Sequence, residues 1–414
     1  MISTNKLTNG ITVITEYIPH VSSAAMGIWI RAGAVDEDKN AGISHFIEHM
    51  MFKGTSNRNF KQISEDLEKL GTNINAFTGR ECTCYYIKSL STNLYKSIDV
   101  LVDMMNNSVF DSDEMEKEKG VIIEEMKMIE DVPDDYGHDL ISSAIFNDSP
   151  LGNSIIGSRE SVTAINRNDI LSYIADRYTP DTILISCAGK FEKEELIAKL
   201  EEGFGGIKGN TAKREYNGGV ITPSRNSLTR DIEQTHLFIG KRSLPADHDK
   251  LRTLNLYSSI LGGGMSSRLF TSVREEKGLA YAVYSMESAF VNDGQFLIYA
   301  GVATDKLITA VEAIKEEVSK LAEINVSEEE LAKVKEQFKC SYIFRRENVS
   351  SRMSESGRSK LLLDKNYTEE EILAKVDAVT VEDISNIAKQ FADFSDYSSV
   401  TIGPEKTDLS KQLS

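Results

Sequence analysis

Glu68-Lys-Leu-Gly71-Thr-Asn-Ile-Asn75-Ala76-Phe-Thr78, followed by Thr83-Cys-Tyr-Tyr-Ile-Lys88, carries the pattern that decides the fold. Glu68-Lys-Leu-Gly71 gives way to a strand-like run over Thr72–Ala76 and a second over 83–88. Leu94, Ile98, Leu101, Val102 and Met105 then recur at a spacing that predicts a helix. The second half repeats that order with Glu276-Lys-Gly278, strand-like Ala280–Tyr284, Phe296-Leu-Ile-Tyr-Ala300, and Leu307, Val311, Ile314 and Val318 at helical spacing. Both halves continue into an acidic helix start, Asp111-Ser-Asp-Glu-Met115 in one and Ser327-Glu-Glu-Glu-Leu331 in the other. Carboxylates there complement the positive end of a helix. Such ordered self-similarity points to internal duplication. The expected architecture is α+β: two homologous domains, each a mostly antiparallel sheet with helices on one face.

Length and charge agree with this division. The chain has 414 residues, and single cores stop growing at roughly 250–300. The most glycine-rich and least periodic stretch, Gly203-Phe-Gly-Gly-Ile-Lys-Gly-Asn210 with Tyr216-Asn-Gly-Gly219 behind it, lies near mid-chain and reads as a linker. The expected segments are therefore 1–205, a linker over 206–224, and 225–414. With 64 acidic against 47 basic side chains the formal charge is −17, which argues against nucleic acid or an anionic membrane as partner. No apolar run approaches the roughly 18 residues that a membrane span requires. Cys82, Cys84, Cys187 and Cys340 form no CxxC pair, as suits a reducing compartment. Strand-like Ile11-Thr-Val-Ile14 begins before there is room for a signal peptide, so a cytoplasmic protein is expected.

Chemistry concentrates in His45-Phe-Ile-Glu48-His49. On a helix, His45 and His49 lie one turn apart on one face, so both imidazoles can reach a single Zn²⁺. Glu48 projects beside them, placed to take a proton from a water at the metal. A catalytic zinc usually takes three protein ligands, so one more is needed. The helix-period segment Glu114–Met126 offers Glu118 and Glu125, seven residues apart and hence on one face. One could ligate while the other holds a ligating histidine from behind. A Glu-rich helix is also the ordinary composition of a solvated face, so the residues alone leave this open.

This set resembles the inverted zinc peptidases, the HxxEH family of pitrilysin, insulin-degrading enzyme and the mitochondrial processing peptidase, and most of all its short-chain processing-peptidase branch. In that family a glutamate ligand follows the motif by about 76 residues, with a second glutamate seven positions before it; here Glu125 follows His49 by 76 and Glu118 by seven. The resemblance implies that Glu125 is the third ligand of one Zn²⁺ per chain, Glu118 a supporting acid and Glu48 the general base. Asn75 and Ala76 resemble the family's edge strand, whose backbone pairs with substrate by strand addition. Phe52 resembles an aromatic lining the pocket on the leaving side of the scissile bond, although core packing would explain it equally.

Gly262-Gly-Gly-Met-Ser-Ser-Arg-Leu-Phe270 lacks the spacing and the terminal Lys-Ser or Lys-Thr of a P-loop. It resembles instead the family segment leading to Arg274 and Tyr281, a pair implied to hold the substrate backbone and stabilise the oxyanion. Where duplication would place a second metal motif the chain reads Leu256-Tyr-Ser-Ser-Ile-Leu261. The resemblance thus implies a zinc endopeptidase acting on short or unfolded peptides inside a closed chamber, formed by a homodimer of two-domain chains. A catalytically silent scaffold or partner subunit of the same family is the alternative, although such members usually lose zinc ligands. S-ribosylhomocysteine lyases also use an HxxEH pair, with a cysteine as third ligand. Cys82 and Cys84 keep that formally open, but those enzymes are far shorter and lack the second-half motifs.

Overall fold

The computed structural model describes residues 2–211, 222–324 and 326–414; residues 212–221 of the expected linker lie outside the described residues. The chain forms two compact units. One comprises Met1–Met126, Asn153–Glu215 and Ile343–Tyr367, the other Lys127–Gly152, Tyr216–Tyr342 and Thr368–Ser414.

The first unit is built on strands β1 (Ile2–Lys6), β2 (Thr12–Tyr17), β3 (Ser23–Ile30), β4 (Asn73–Thr78), β5 (Thr83–Leu90) and β6 (Ile183–Gly189), in the order β1-β2-β6-β3-β5-β4. The second uses β7 (Arg225–Thr229), β8 (Gln234–Ser243), β9 (Ala280–Ala289), β10 (Gly294–Ala303) and β11 (Ser398–Gly403), in the order β7-β11-β8-β10-β9. Without β1 the two orders correspond strand for strand. Each sheet is antiparallel except for one pair, β2 with β6 and its counterpart β7 with β11. The duplication read from the sequence is therefore present in the topology, and the fold is the expected α+β class.

Helices repeat as well. Between β3 and β4 lie α1 (Ile43–Met51) and α2 (Phe60–Lys69); β5 leads through a short turn at Ser91–Asn93 into α3 (Leu94–Asn107). β10 leads through a similar turn at Thr304–Lys306 into a helix over Leu307–Glu323, which buries the anticipated Leu307, Val311, Ile314 and Val318. In α3, Leu94, Ile98 and Leu101 are buried as the spacing predicts. Val100 and Met104 join them, while Val102 and Met105 are only partly covered.

The halves exchange their next helices. After α4 (Ser112–Asp131), α5 (Pro133–Ile145) packs on β8 and β11 of the second unit, whereas Val349–Leu363 packs on β2, β3 and β6 of the first. Both faces of the central strands are consequently covered: every residue of 24–30 and 183–189 is buried. The compact units are thus interleaved, where the sequence reading runs 1–205, 206–224 and 225–414 continuously. Helical periodicity reveals an apolar face but not the sheet on which it will lie. At closest approach neither exchanged helix has room for a side chain: a Cβ on Gly357 would meet Trp29 Nε1 at 2.3 Å, and one on Gly137 would meet Phe238 Cε2 at 2.0 Å. Among the described residues, no helix is long and apolar enough to cross a membrane.

Gly-to-Ala replacement inside a helix ordinarily stabilises by about 0.5–1 kcal/mol. Gly357→Ala should reverse that sign, because overpacking costs about 1–3 kcal/mol. Trp29 is the single tryptophan of the chain, so urea unfolding followed by its fluorescence reads the effect directly. A raised midpoint would show that this helix does not press on β3.

Candidate metal centre

The amphipathic pattern of α1 sets the site. Ile43, Phe46, Ile47, Met50 and Met51 are buried, leaving His45, Glu48 and His49 on the partly exposed face. The helix entry is held firmly. Gly42 adopts φ +88° where a Cβ would strike the Ile156 carbonyl, and the buried Glu37 carboxylate accepts from the N–H groups of Gly42 (2.6 Å) and Ser44 (2.9 Å). A carboxylate there satisfies otherwise unpaired N–H groups and meets the positive end of the helix. The Ser44 hydroxyl also bonds the Tyr173 hydroxyl at 2.8 Å.

α4 supplies the two glutamates, whose spacing of nearly two turns brings both to α1. Glu125 Oε2 lies 3.8 Å from His45 Nε2 and 3.5 Å from His49 Nε2. Glu118 is buried and accepts from His49 Nδ1 at 2.8 Å, while its other oxygen meets Lys53 Nζ at 2.5 Å. Among the described residues, His45, His49 and Glu125 form the one group of His, Cys, Asp or Glu side chains able to hold a metal ion, with donor atoms within 4.8 Å of one another. Cys82 and Cys84 are absent from it. Burial pushes the Cys82 thiol up to about 12 and Cys84 well above the ordinary range.

The donor set fits zinc, which takes neutral imidazoles and a carboxylate and keeps a fourth position open. Burial, followed by the neighbouring His49, pushes the His45 imidazole down to about 4, leaving it neutral at neutral pH. Glu125 Oε2 is buried without a hydrogen-bond partner although it faces both imidazoles. A bound cation would satisfy it. Burial pushes Glu118 up, but the hydrogen bonds with His49 and Lys53 outweigh this and hold it below the usual carboxylate range. Glu48 is raised chiefly by burial, against a 2.5 Å hydrogen bond from Thr78 Oγ1.

The remaining expected residues divide between the units. Asn75 and Ala76 lie on β4, which pairs only with β5, and the Ala76 N–H is taken by Asn75 Oδ1 at 2.8 Å. Phe52 directly follows α1 and packs partly buried against Ile63, Leu67, Val100 and Met104. In the second unit Arg274 and Tyr281 are brought together: the guanidinium lies over the Phe270 ring at 4.6 Å and the Tyr281 ring at 5.4 Å. Tyr281 is 75% exposed.

Sequence reasoning missed Glu37, Lys53 and Thr78. Lys53 had a signal, since it stands four residues after His49, just beyond the end of α1. Thr78 had none, because it reaches α1 from a separate strand, and Glu37 had none because the turn that carries it back to Gly42 and Ser44 has no periodic signature.

Comparison with known proteins follows the same lines. Residues 12–159 match the insulinase family (peptidase family M16), and residues 164–338 match the peptidase M16 inactive domain. The uncharacterized zinc protease YmxG of Bacillus subtilis is 38% identical over 96% of this chain and 97% of its own. A peptidase M16 inactive domain from Pseudomonas fluorescens superposes with a TM-score of 0.91 at 16% identity, covering 98% of both chains. A protease from Helicobacter pylori does so with a TM-score of 0.89 at 20% identity, covering 98% of this chain and 99% of its own. The chain belongs to the M16, or pitrilysin, family of zinc metallopeptidases.

His45→Ala and Glu125→Gln should each abolish zinc retention, whereas Glu118→Gln should weaken it about 10–100-fold, as loss of a ligand's hydrogen-bond partner typically does. Competition with a chelator of known affinity measures both.

Glu37 gives a second expectation. Burial lifts its carboxyl from 4.5 to about 7, against the favourable N–H groups of Ser44 and Gly42. With the folded value above the unfolded one, its contribution to stability is complete below 4.5 and is lost as pH rises towards 7. Wild type should therefore lose stability relative to Glu37→Gln across that window in chemical denaturation. A constant difference would refute the assignment.

Proposed function

We propose that the chain is a zinc-dependent endopeptidase that hydrolyses short or unfolded peptides, with His45, His49 and Glu125 holding one zinc ion and Glu48 as general base. The observation that carries this is the convergence of the two imidazoles and the Glu125 carboxylate within 4.8 Å of one another, on a chain of this family.

When bound, zinc polarises the scissile carbonyl and lowers the pKa of a coordinated water. The side chains account for the rest. Glu118 accepts the Nδ1 proton of His49 and so leaves the Nε2 lone pair, on the side where Glu125 lies, free for the ion. Lys53 balances the charge on Glu118. Glu48 takes a proton from the attacking water and returns it to the leaving amine, so no covalent enzyme intermediate is needed. The free edge of β4 offers backbone groups to an extended peptide, with Asn75 and Ala76 at its centre; the Asn75 side chain, which holds the Ala76 N–H, swings aside as the peptide pairs. By family resemblance Phe52 lines the leaving side, and Arg274 and Tyr281 hold the substrate backbone. We place the protein in the cytoplasm as a homodimer whose closed chamber excludes folded proteins, with the first domain carrying the chemistry and the second contributing to substrate binding.

A silent partner subunit is the second reading, favoured by the match of residues 164–338 to a domain described as inactive. Cleavage of quenched fluorescent peptides separates the two. Zinc-loaded wild type should cut short unstructured peptides and spare the same sequences within a folded protein, while Glu48→Gln at equal zinc content should cut neither. Zinc-loaded dimers that cleave nothing would establish the silent reading.

A further inference from the structure

We propose that Thr78 is a positioning residue for Glu48, through which the substrate-receiving strand β4 sets the orientation of the general base. The assignment rests on Glu48 having the role given above.

Thr78 is the last residue of β4 and pairs with Thr83 of β5. Its backbone is pinned on both sides. The Gly79 N–H bonds the Cys82 carbonyl at 2.8 Å, closing the turn between the strands, and the Gly79 carbonyl accepts from Ala34 N–H at 3.3 Å. Thr83 in turn donates from its hydroxyl to the Ala32 carbonyl at 2.9 Å. By strand alternation the Thr78 side chain shares a face with Ile74 and Ala76, and α1 packs on this strand. Its hydroxyl therefore occupies a fixed point beneath the exposed face of α1, where it donates to Glu48 Oε2 at 2.5 Å.

Among the described residues this is the hydrogen bond that Glu48 makes. The neighbouring Tyr85 hydroxyl is engaged with Tyr178 at 3.3 Å. The terminal torsion of a glutamate is broad and nearly two-fold, so rotamer preference does not choose which carboxylate oxygen faces the substrate. The Thr78 bond makes that choice by tying down Oε2 and leaving Oε1 to meet the attacking water. An uncharged O–H donor suits the task, since a Lys or Arg there would form an ion pair with the base and weaken it. The β-branched side chain also restricts its own rotation on the strand.

The same strand has a free edge, so a peptide that pairs along β4 stiffens the element carrying this donor.

Thr78→Val keeps the shape and removes the donor. With zinc content equal to wild type, it should lower kcat about tenfold or more, with KM within about twofold. Thr78→Ser restores the donor and should recover most of kcat. Peptide affinity, measured by fluorescence anisotropy in the non-cleaving Glu48→Gln protein, should be the same with and without Thr78→Val. Wild-type kcat in Thr78→Val would overturn the proposal. So would parallel loss of zinc or peptide binding, or failure of serine to rescue, since each would mark Thr78 as merely structural. If zinc-loaded wild type itself cleaves nothing, the functional reading fails and this assignment with it; cleavage that is insensitive to Thr78 removes this assignment alone.

Discussion

A buried charge is tolerable only when it is paired, and the buried carboxylate of Glu118 is the pairing around which the site is arranged. One oxygen is held by His49 Nδ1 and the other by Lys53 Nζ, so an acid on α4 ties down two successive turns of the segment running from α1. That contact fixes the rotation of α1 about its axis and the ring orientation of His49. It also leaves Nε2 as the nitrogen directed at Glu125. Removing Lys53 would leave a buried acid with half its partners, whereas removing Glu118 would free the imidazole to adopt its other tautomer. The convergence of His45, His49 and Glu125 is a consequence of this contact as much as of the three residues themselves.

Everything else about α1 is arranged to leave it little freedom. Its apolar face packs into the first unit, its first turn is satisfied by the Glu37 carboxylate, and its exposed face is met by Thr78 from the edge strand. A site held by elements of regular structure keeps its donors in place more tightly than one assembled on loops. The cost is a set of acids withdrawn from solvent, Glu37 and Glu118 fully and Glu48 in part, each needing its own donors. Glu37 and Glu48 are pushed up by burial. Glu118, with a cation and an imidazole as partners, is held down.

The parts of this arrangement that were legible in the sequence share a property: they are short-range or periodic. The one-turn spacing of His45 and His49, the seven-residue spacing of Glu118 and Glu125, and the repeated order of strands and helices all follow from the pitch of an element or its place in the chain. The choice between Glu118 and Glu125 needed family resemblance, because two acids on one helical face look alike until a partner approaches. Of the contacts that escaped reading, Glu37 to Gly42 and Ser44 rests on an aperiodic local turn, whereas Thr78 to Glu48 depends on where one segment lands on another. The same limit hid the exchange of α5 and Val349–Leu363. Their small residues Gly137 and Gly357 mark close approach only once Phe238 and Trp29 are known to lie beneath them.

The second unit shows how far the scaffold and its chemistry are separable. Leu251–Gly262 occupies there the place of α1 and packs on the edge strand β9 as α1 packs on β4. Where α1 carries its motif, this helix shows Arg252, Asn255 and Ser259 as its partly exposed stripe. Asn255 donates to Glu287 of β9 at 2.7 Å, and Ser285 of β9 donates to the Ser258 carbonyl at 2.8 Å. A hydrogen bond between helix and edge strand that involves a carboxylate is therefore present in both units, with the carboxylate on opposite partners. In one the carboxylate is on the helix, turned towards the metal face, and the strand donates; in the other the carboxylate is on the strand and the helix donates. Glu287 is engaged with the helix beside it, and no imidazole lies on that stripe to bind a metal. One fold thus carries two imidazoles on one of these helices and none on the other, and a group able to hold a metal accompanies only the first among the described residues.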